Sequence, residues 1–160
     1  MRYKVAPPAR SLSFLGDARA AIPLVPDDEA DCCRAIQRAT DVTDRETARE
    51  YLTFLRALDL VDESDRGYHR TRTELDQSAL AVAFRENVFA ASELLDALDD
   101  CGGPLTETEA FERVRDAVPR WERERHADWE RVWRTRLDHL LGWAEAFGLA
   151  ARTDDGYERR

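Results

Sequence analysis

Tyr51–Arg70 reads YLTFLRALDLVDESDRGYHR, and Leu140–Arg159 reads LLGWAEAFGLAARTDDGYER. Laid over one another without a gap, at an offset of 89 residues, they agree at seven of 20 positions. The matches are Leu52 with Leu141, Ala57 with Ala146, Leu60 with Leu149, Asp65 with Asp154, Gly67 with Gly156, Tyr68 with Tyr157 and Arg70 with Arg159. Phe54 also meets Trp143, and Leu58 meets Phe147. Each copy reads as the end of an amphipathic helix, a short strand, a turn closed by glycine, and an aromatic residue opening a second strand. Self-similarity of this kind predicts a duplicated structural unit.

Outward from the first copy, Asp27 and Asp28 offer carboxylates to cap a helix running to Thr40, with Ala30, Cys33, Ile36 and Gln37 along one side. Asp41–Val42 breaks it. Thr43 stands three residues before Glu46, the Thr-x-x-Glu capping-box spacing that opens a further helix. In that helix Ala48, Leu52, Leu55 and Leu58 recur at spacings of 4, 3 and 3, one apolar stripe. Leu60–Val61 reads as a strand, Ser64–Gly67 as a turn and Tyr68–Thr71 as the returning strand.

Helix, turn, capped helix and β-hairpin in this order, carried by Thr43–Leu52, Leu55–Val61 and Gly67–Thr71, resemble the winged helix-turn-helix domains common in archaeal DNA-binding proteins. Asp59 stands where that family's Leu-x-x-Leu-x-x-x-Gly-Leu pattern has glycine. The resemblance implies that the start of the capped helix, with Thr43, Arg45 and Arg49, enters a major groove, where arginine bonds guanine in bidentate fashion. It also implies that Arg66 and Arg70 of the wing meet phosphate or the minor groove.

Thr73–Asp100 reads as one long helix, because Leu80, Phe84, Val88, Ala91, Leu95 and Leu98 step by 4, 4, 3, 4 and 3. Cys101-Gly102-Gly103-Pro104 ends it. Thr106 and Glu109 form another capping-box pair, ahead of Phe111, Val114 and Val118. Beyond Pro119 a long helix between Arg120 and Phe147 carries Trp129, Trp133, Leu137, Leu140, Ala144 and Phe147 on one stripe. The expected fold is mainly α with small β-hairpin wings: two tandem winged-helix units joined by a long central helix. The divisions are an N-terminal arm 1–25, a first unit 26–73, a central helix 74–100 shared with the second unit, and the remainder 101–160. The apolar stripe of the central helix suggests pairing with a second copy of the chain, a homodimer.

The 160 residues carry 33 acidic and 24 basic side chains, for a net charge of −9, and Lys4 is the one lysine. An acidic chain nearly free of lysine resembles the proteins of halophilic archaea. In molar salt the Debye length is about 3 Å, so net charge does not keep such a protein from phosphate. The negative excess sits in residues 73–112, where ten acids face the single base Arg85, while the two expected reading segments are near neutral and dense in arginine. The longest strictly apolar run, Ala79–Phe84, is too short to span a bilayer, and Ser11–Leu15 is too short and polar for a signal peptide, so a cytoplasmic protein is expected.

In the second unit the candidate DNA contacts are Arg131, Arg134 and Arg152, with Arg136 and Arg159 beside them. The competing reading is an assembly module without DNA binding, because Asp44, Glu46 and Glu50 interleave with the arginines of the first reading helix and can neutralise them. Trp129 and Trp133 lie on the apolar stripe and read as core. Glu122, His126 and Glu130 have the spacing of a metal-binding helix face, which exposed charged helices also produce freely, and no metal or cofactor is expected. Cys32 and Cys33 read as packed thiols. No nucleotide-binding glycine loop, nucleophile elbow or zinc-protease motif occurs, so no catalysis is expected.

Overall fold

The two copies of the repeat end their helices with the same hydrogen bonds. Leu60 N–H donates to Leu55 O at 3.0 Å and Asp59 N–H to Arg56 O at 3.1 Å; Leu149 N–H donates to Ala144 O at 2.8 Å and Gly148 N–H to Glu145 O at 3.1 Å. This double closure needs a left-handed residue. Gly148 supplies it with φ +74° and Asp59 with φ +63°. Aspartate is among the few side chains that enter this region at modest cost.

The computed structural model describes residues 6–160, so Arg2 and Lys4 at the start of the expected arm lie outside the described residues. The first half runs α1 (Leu12–Ala21), α2 (Glu29–Ala39), α3 (Arg45–Ala57), β1 (Val61–Ser64) and β2 (Gly67–Arg70). After α4 (Gln77–Asn87) come α5 (Ala91–Asp100), α6 (Glu107–Val114), a 3-10 turn at Arg115–Ala117, α7 (Arg120–Arg125), α8 (Trp129–Ala146), β3 (Ala150–Thr153) and β4 (Gly156–Arg159). Both hairpins are antiparallel with matching registers, Val61 opposite Arg70 and Ala150 opposite Arg159.

Each hairpin is extended by one residue from far upstream. Asp27 pairs with Tyr68, and Leu105 with Tyr157. The reciprocal bonds are 2.9 and 2.7 Å in the first case and 2.7 and 2.8 Å in the second. The glycine before each tyrosine makes this approach possible. A Cβ on Gly67 would lie 2.1 Å from Asp27 O, and one on Gly156 2.2 Å from Leu105 O. The next residue caps a helix in both halves, Asp28 for α2 and Thr106 for α6, the latter in a complete capping box with Glu109. α1 and α5 correspond as well: Phe14, Leu15 and Ala18 are buried with the spacing of Leu94, Leu95 and Leu98.

α4 lies between the halves and closes the ends of both repeated helices. Asn87 Nδ2 donates to Ala57 O at 2.8 Å, and Gln77 Nε2 donates to Ala146 O at 3.1 Å. Ala57 and Ala146 are repeat partners. So are Phe54 and Trp143, whose rings meet at 4.6 Å between centroids. The segment before α1 straps this seam: Tyr51 Oη–H donates to Pro8 O and Trp143 Nε1–H to Pro7 O, both at 2.7 Å.

Several expectations need correction. The central helix is two helices: the chain turns through Val88–Ala90, with Ala90 at φ +70°, and apolar periodicity does not register so short a break. Its stripe is buried inside the chain, with Leu80, Phe84, Leu95 and Leu98 each at most 2% exposed, which leaves no such face for a second copy. The expected arm contains α1, an integral core helix. The helix beyond Pro119 is also interrupted, between Arg125 and Trp129, and within the short α7 Arg123 Nη2 donates back to Arg115 O at 2.6 Å. Thr43 does not cap α3; Asp44 does, accepting Thr47 N–H at 2.9 Å and Thr47 Oγ1–H at 2.8 Å. Asp44 sits one residue nearer the helix and offers a charged acceptor.

Gly67→Ala and Gly156→Ala should each cost more stability than Gly102→Ala. All three glycines have positive φ, but nothing lies within 4 Å of a Cβ at Gly102. The Gly102 change should cost about 1–2 kcal/mol of left-handed strain alone. Denaturant titration would measure the difference; equal losses at all three positions would show that the close approach of Asp27 and Leu105 has no energetic weight.

Candidate nucleic-acid interface

α3 presents its first two turns to solvent because its apolar side is consumed: Ala48, Tyr51, Leu52 and Leu55 are buried while Arg45, Glu46 and Arg49 are exposed. The two Thr47 bonds hold the Asp44 carboxyl below its usual range, so the cap remains charged. Arg45 makes no ion pair among the described residues. Arg49 Nε lies 3.4 Å from Glu29 Oε1, a pair whose guanidinium is two-thirds exposed. Thr43 is exposed just before the cap, its carbonyl accepting from Gln37 Nε2 at 2.8 Å. Arg66 is exposed at the tip of the first hairpin and has no ion pair among the described residues. Arg70 is at the other end of β2, beside Arg19 of α1.

Each half therefore contains three corresponding helices and a hairpin, the hairpin joined by one residue from between the first two of these helices. α1, α2 and α3 correspond to α5, α6 and α8. The family model of the halobacterial double winged helix domain matches residues 1–160. The chain belongs to that family. No curated protein and no solved structure matches it. The hairpins are its two wings, and α3 and α8 are the third helices of its two units.

The units have the same backbone plan and different charges. Position 45 corresponds to Arg134, which lies over the Phe111 ring at 4.5 Å and 3.7 Å from Glu112. Position 49 corresponds to Asp138, and Arg66 at the wing tip to Asp155. Glu29 and Glu107 open α2 and α6, so the Arg49–Glu29 pair of the first unit becomes two carboxyls, Asp138 and Glu107, in the second. Loss of solvent and the neighbouring Glu107 charge push the Asp138 carboxyl above its usual range. Arg131 is paired with Asp128, and Arg152 lies over the Tyr157 ring at 5.6 Å. The second unit is also longer by 11 residues between its second and third helices, since the caps Asp28 and Thr106 are 78 residues apart whereas the wing glycines are 89 apart. The insertion forms α7 and lengthens the start of α8.

The structure disperses the metal-like spacing in this insertion. Glu122, 2% exposed, faces Arg136 at 3.4 Å; Glu130 pairs with Arg115 at 3.0 Å; His126 lies past the end of α7. Trp133 is buried in the core, as its stripe indicates, and Trp129 packs against Phe111. Burial pushes the Cys32 thiol up to about 11 and raises Cys33 too, which leaves both thiols protonated and unreactive at neutral pH. No helix of the described residues is long and apolar enough to cross a membrane.

Arg19, the neighbour of Arg70, is absent from the residues expected at the interface because α1 falls in the expected arm 1–25. The matching spacing of Phe14-Leu15-Ala18 and Leu94-Leu95-Leu98 was the available signal.

Asp138 titration gives a signed test. A carboxyl whose pKa is raised by folding is disfavoured in its ionised form, so it lowers stability above its folded pKa and this penalty vanishes below the unfolded pKa. Asp138→Asn should raise the denaturation midpoint at pH 7 and leave it unchanged near pH 3. A midpoint lowered at pH 7 would show that the ionised carboxylate is stabilising where it stands.

Proposed function

We propose that this chain binds duplex DNA through its first unit and acts as a non-catalytic transcriptional regulator. In this reading the first turns of α3 enter the major groove, with Arg45 and Arg49 on base edges and Thr43 on an adjacent phosphate. Arg66 at the wing tip meets the flanking backbone. The observation that supports it is the contrast between the units: Arg45 and Arg66 are exposed and unpaired in the first, while the second has an engaged arginine and an aspartate at those positions. Asp138 and Asp155 would face phosphate with like charge, so the second unit serves as the rigid support of the first. Arg131, Arg134 and Arg152 then act in packing and solvation.

The competing function is a winged-helix assembly module, favoured by the ion pair that occupies Arg49. Selection from random duplexes at moderate and molar salt separates the two. Arg45→Ala and Arg49→Ala should each lower affinity for the selected site by about 1–3 kcal/mol relative to non-specific duplex. Arg66→Ala should weaken all duplexes alike and reduce the slope of log affinity against log salt by about one unit. Arg131→Ala, Arg134→Ala and Arg152→Ala should leave both measures unchanged. If no motif is enriched and no duplex is retained, the assembly reading replaces this one.

A further inference from the structure

At the base of the first wing, on the side away from its tip, Arg19, Arg70 and Arg72 line an open pocket of about 380 Å³ together with Gly16, Leu24 and Leu75. Arg19 is fixed there. Its Nη2 donates to Thr71 O at 2.8 Å, while its Nε is buried without a hydrogen-bond partner. No carboxylate lines the pocket, and neither Arg70 nor Arg72 makes an ion pair among the described residues. Burial and the nearby Arg70 charge both pull the Arg19 guanidinium below its usual range, the direction expected when like charges share a site without a counterion.

The second unit shows what the same backbone does when the charge is balanced. Arg159 is the repeat partner of Arg70, and Asp99, directly after the buried Leu98 of α5, stands where Arg19 directly follows the buried Ala18 of α1. Asp99 Oδ1 lies 3.1 Å from Arg159 Nε. The first unit thus has arginine in place of the neutralising carboxylate. Cationic groups gathered without an acid and partly out of water are stabilised by an anion from outside the chain, and guanidinium forks match the geometry of phosphate and carboxylate oxygens.

We propose that this pocket binds a small oxyanion of the phosphate class, held between the guanidinium groups of Arg19, Arg70 and Arg72. The occupant is a free phosphate or phosphate monoester, not a phosphate of the duplex. Arg70 lies three residues along β2 from the wing turn, about 10 Å from the tip that would approach DNA. The site stands independently of the DNA reading and would let a phosphorylated small molecule bias the setting of the first wing against α1.

The full chain without DNA, titrated with inorganic phosphate in molar potassium chloride, tests this by calorimetry and by the thermal midpoint. The unmodified protein should bind phosphate, and its midpoint should rise with phosphate concentration. Arg70→Gln should weaken phosphate binding at least about tenfold. Arg19→Asp supplies internally the carboxylate that the second unit has; it should raise the midpoint in the absence of phosphate and abolish the response to it. Absence of phosphate binding to the unmodified protein would overturn the proposal. So would an equal response in Arg19→Asp, which would mean general salting of the fold. Unaltered phosphate behaviour with weakened duplex retention in Arg70→Gln would assign Arg70 to DNA instead and equally refute the small-molecule site.

Discussion

The contact between Phe54 and Trp143 is the constraint from which the rest of the architecture follows. The two residues occupy the same position in the two copies, and their rings meet at 4.6 Å. Each third helix therefore buries its end against its counterpart, and neither unit has a complete core of its own. One continuous cluster runs from Phe14 through Tyr51 and Trp143 to Tyr157. α4 then acts as a clasp, bonding Ala57 O from one end and Ala146 O from the other. The strap before α1 adds one bond to each side of the seam, and Gly142 leaves room for it: a Cβ there would stand 2.6 Å from Ala9 Cβ. The arrangement resembles a dimer interface enclosed in a single chain.

Duplication leaves two sets of equivalent positions free to diverge, and in this chain they diverge mainly in charge. Core positions stay apolar: Phe54 and Trp143, Leu58 and Phe147, Ala57 and Ala146. Charged positions change sign, Arg49 to Asp138, Arg66 to Asp155 and Arg19 to Asp99. The hairpin geometry persists because it depends on glycine at 67 and 156 and on backbone bonds to Asp27 and Leu105, which are indifferent to side-chain charge. One framework therefore carries exposed, unpaired arginines at 45 and 66 on one unit, and an engaged arginine and an aspartate at the matching positions of the other.

The duplicated hairpins, the caps at Asp28 and Thr106 and the apolar stripes of α3 and α8 were legible in the sequence, because each rests on local chemistry or periodicity. The break at Val88–Ala90 was not, since Val88 and Ala91 keep the helical spacing across it and the turn depends on an alanine in a left-handed conformation. α1 was missed for a different reason: Ser11–Leu15 looks like a short polar segment, and only its repeat partner in α5 identifies it as core. The arginines of the candidate interface were visible as residues, but their availability was not. That depended on tertiary partners, such as Phe111 under Arg134 and Tyr157 under Arg152.

In the proposed function one unit of the pair faces DNA while the other supports it. Hydrogen exchange of the full chain, measured with and without a selected duplex, tests it most directly. The duplex should slow exchange of backbone amides at positions 43–49 and 65–67 and leave 132–138 and 154–156 unchanged. Protection of the second unit's helix and wing, alone or to the same degree, would contradict it.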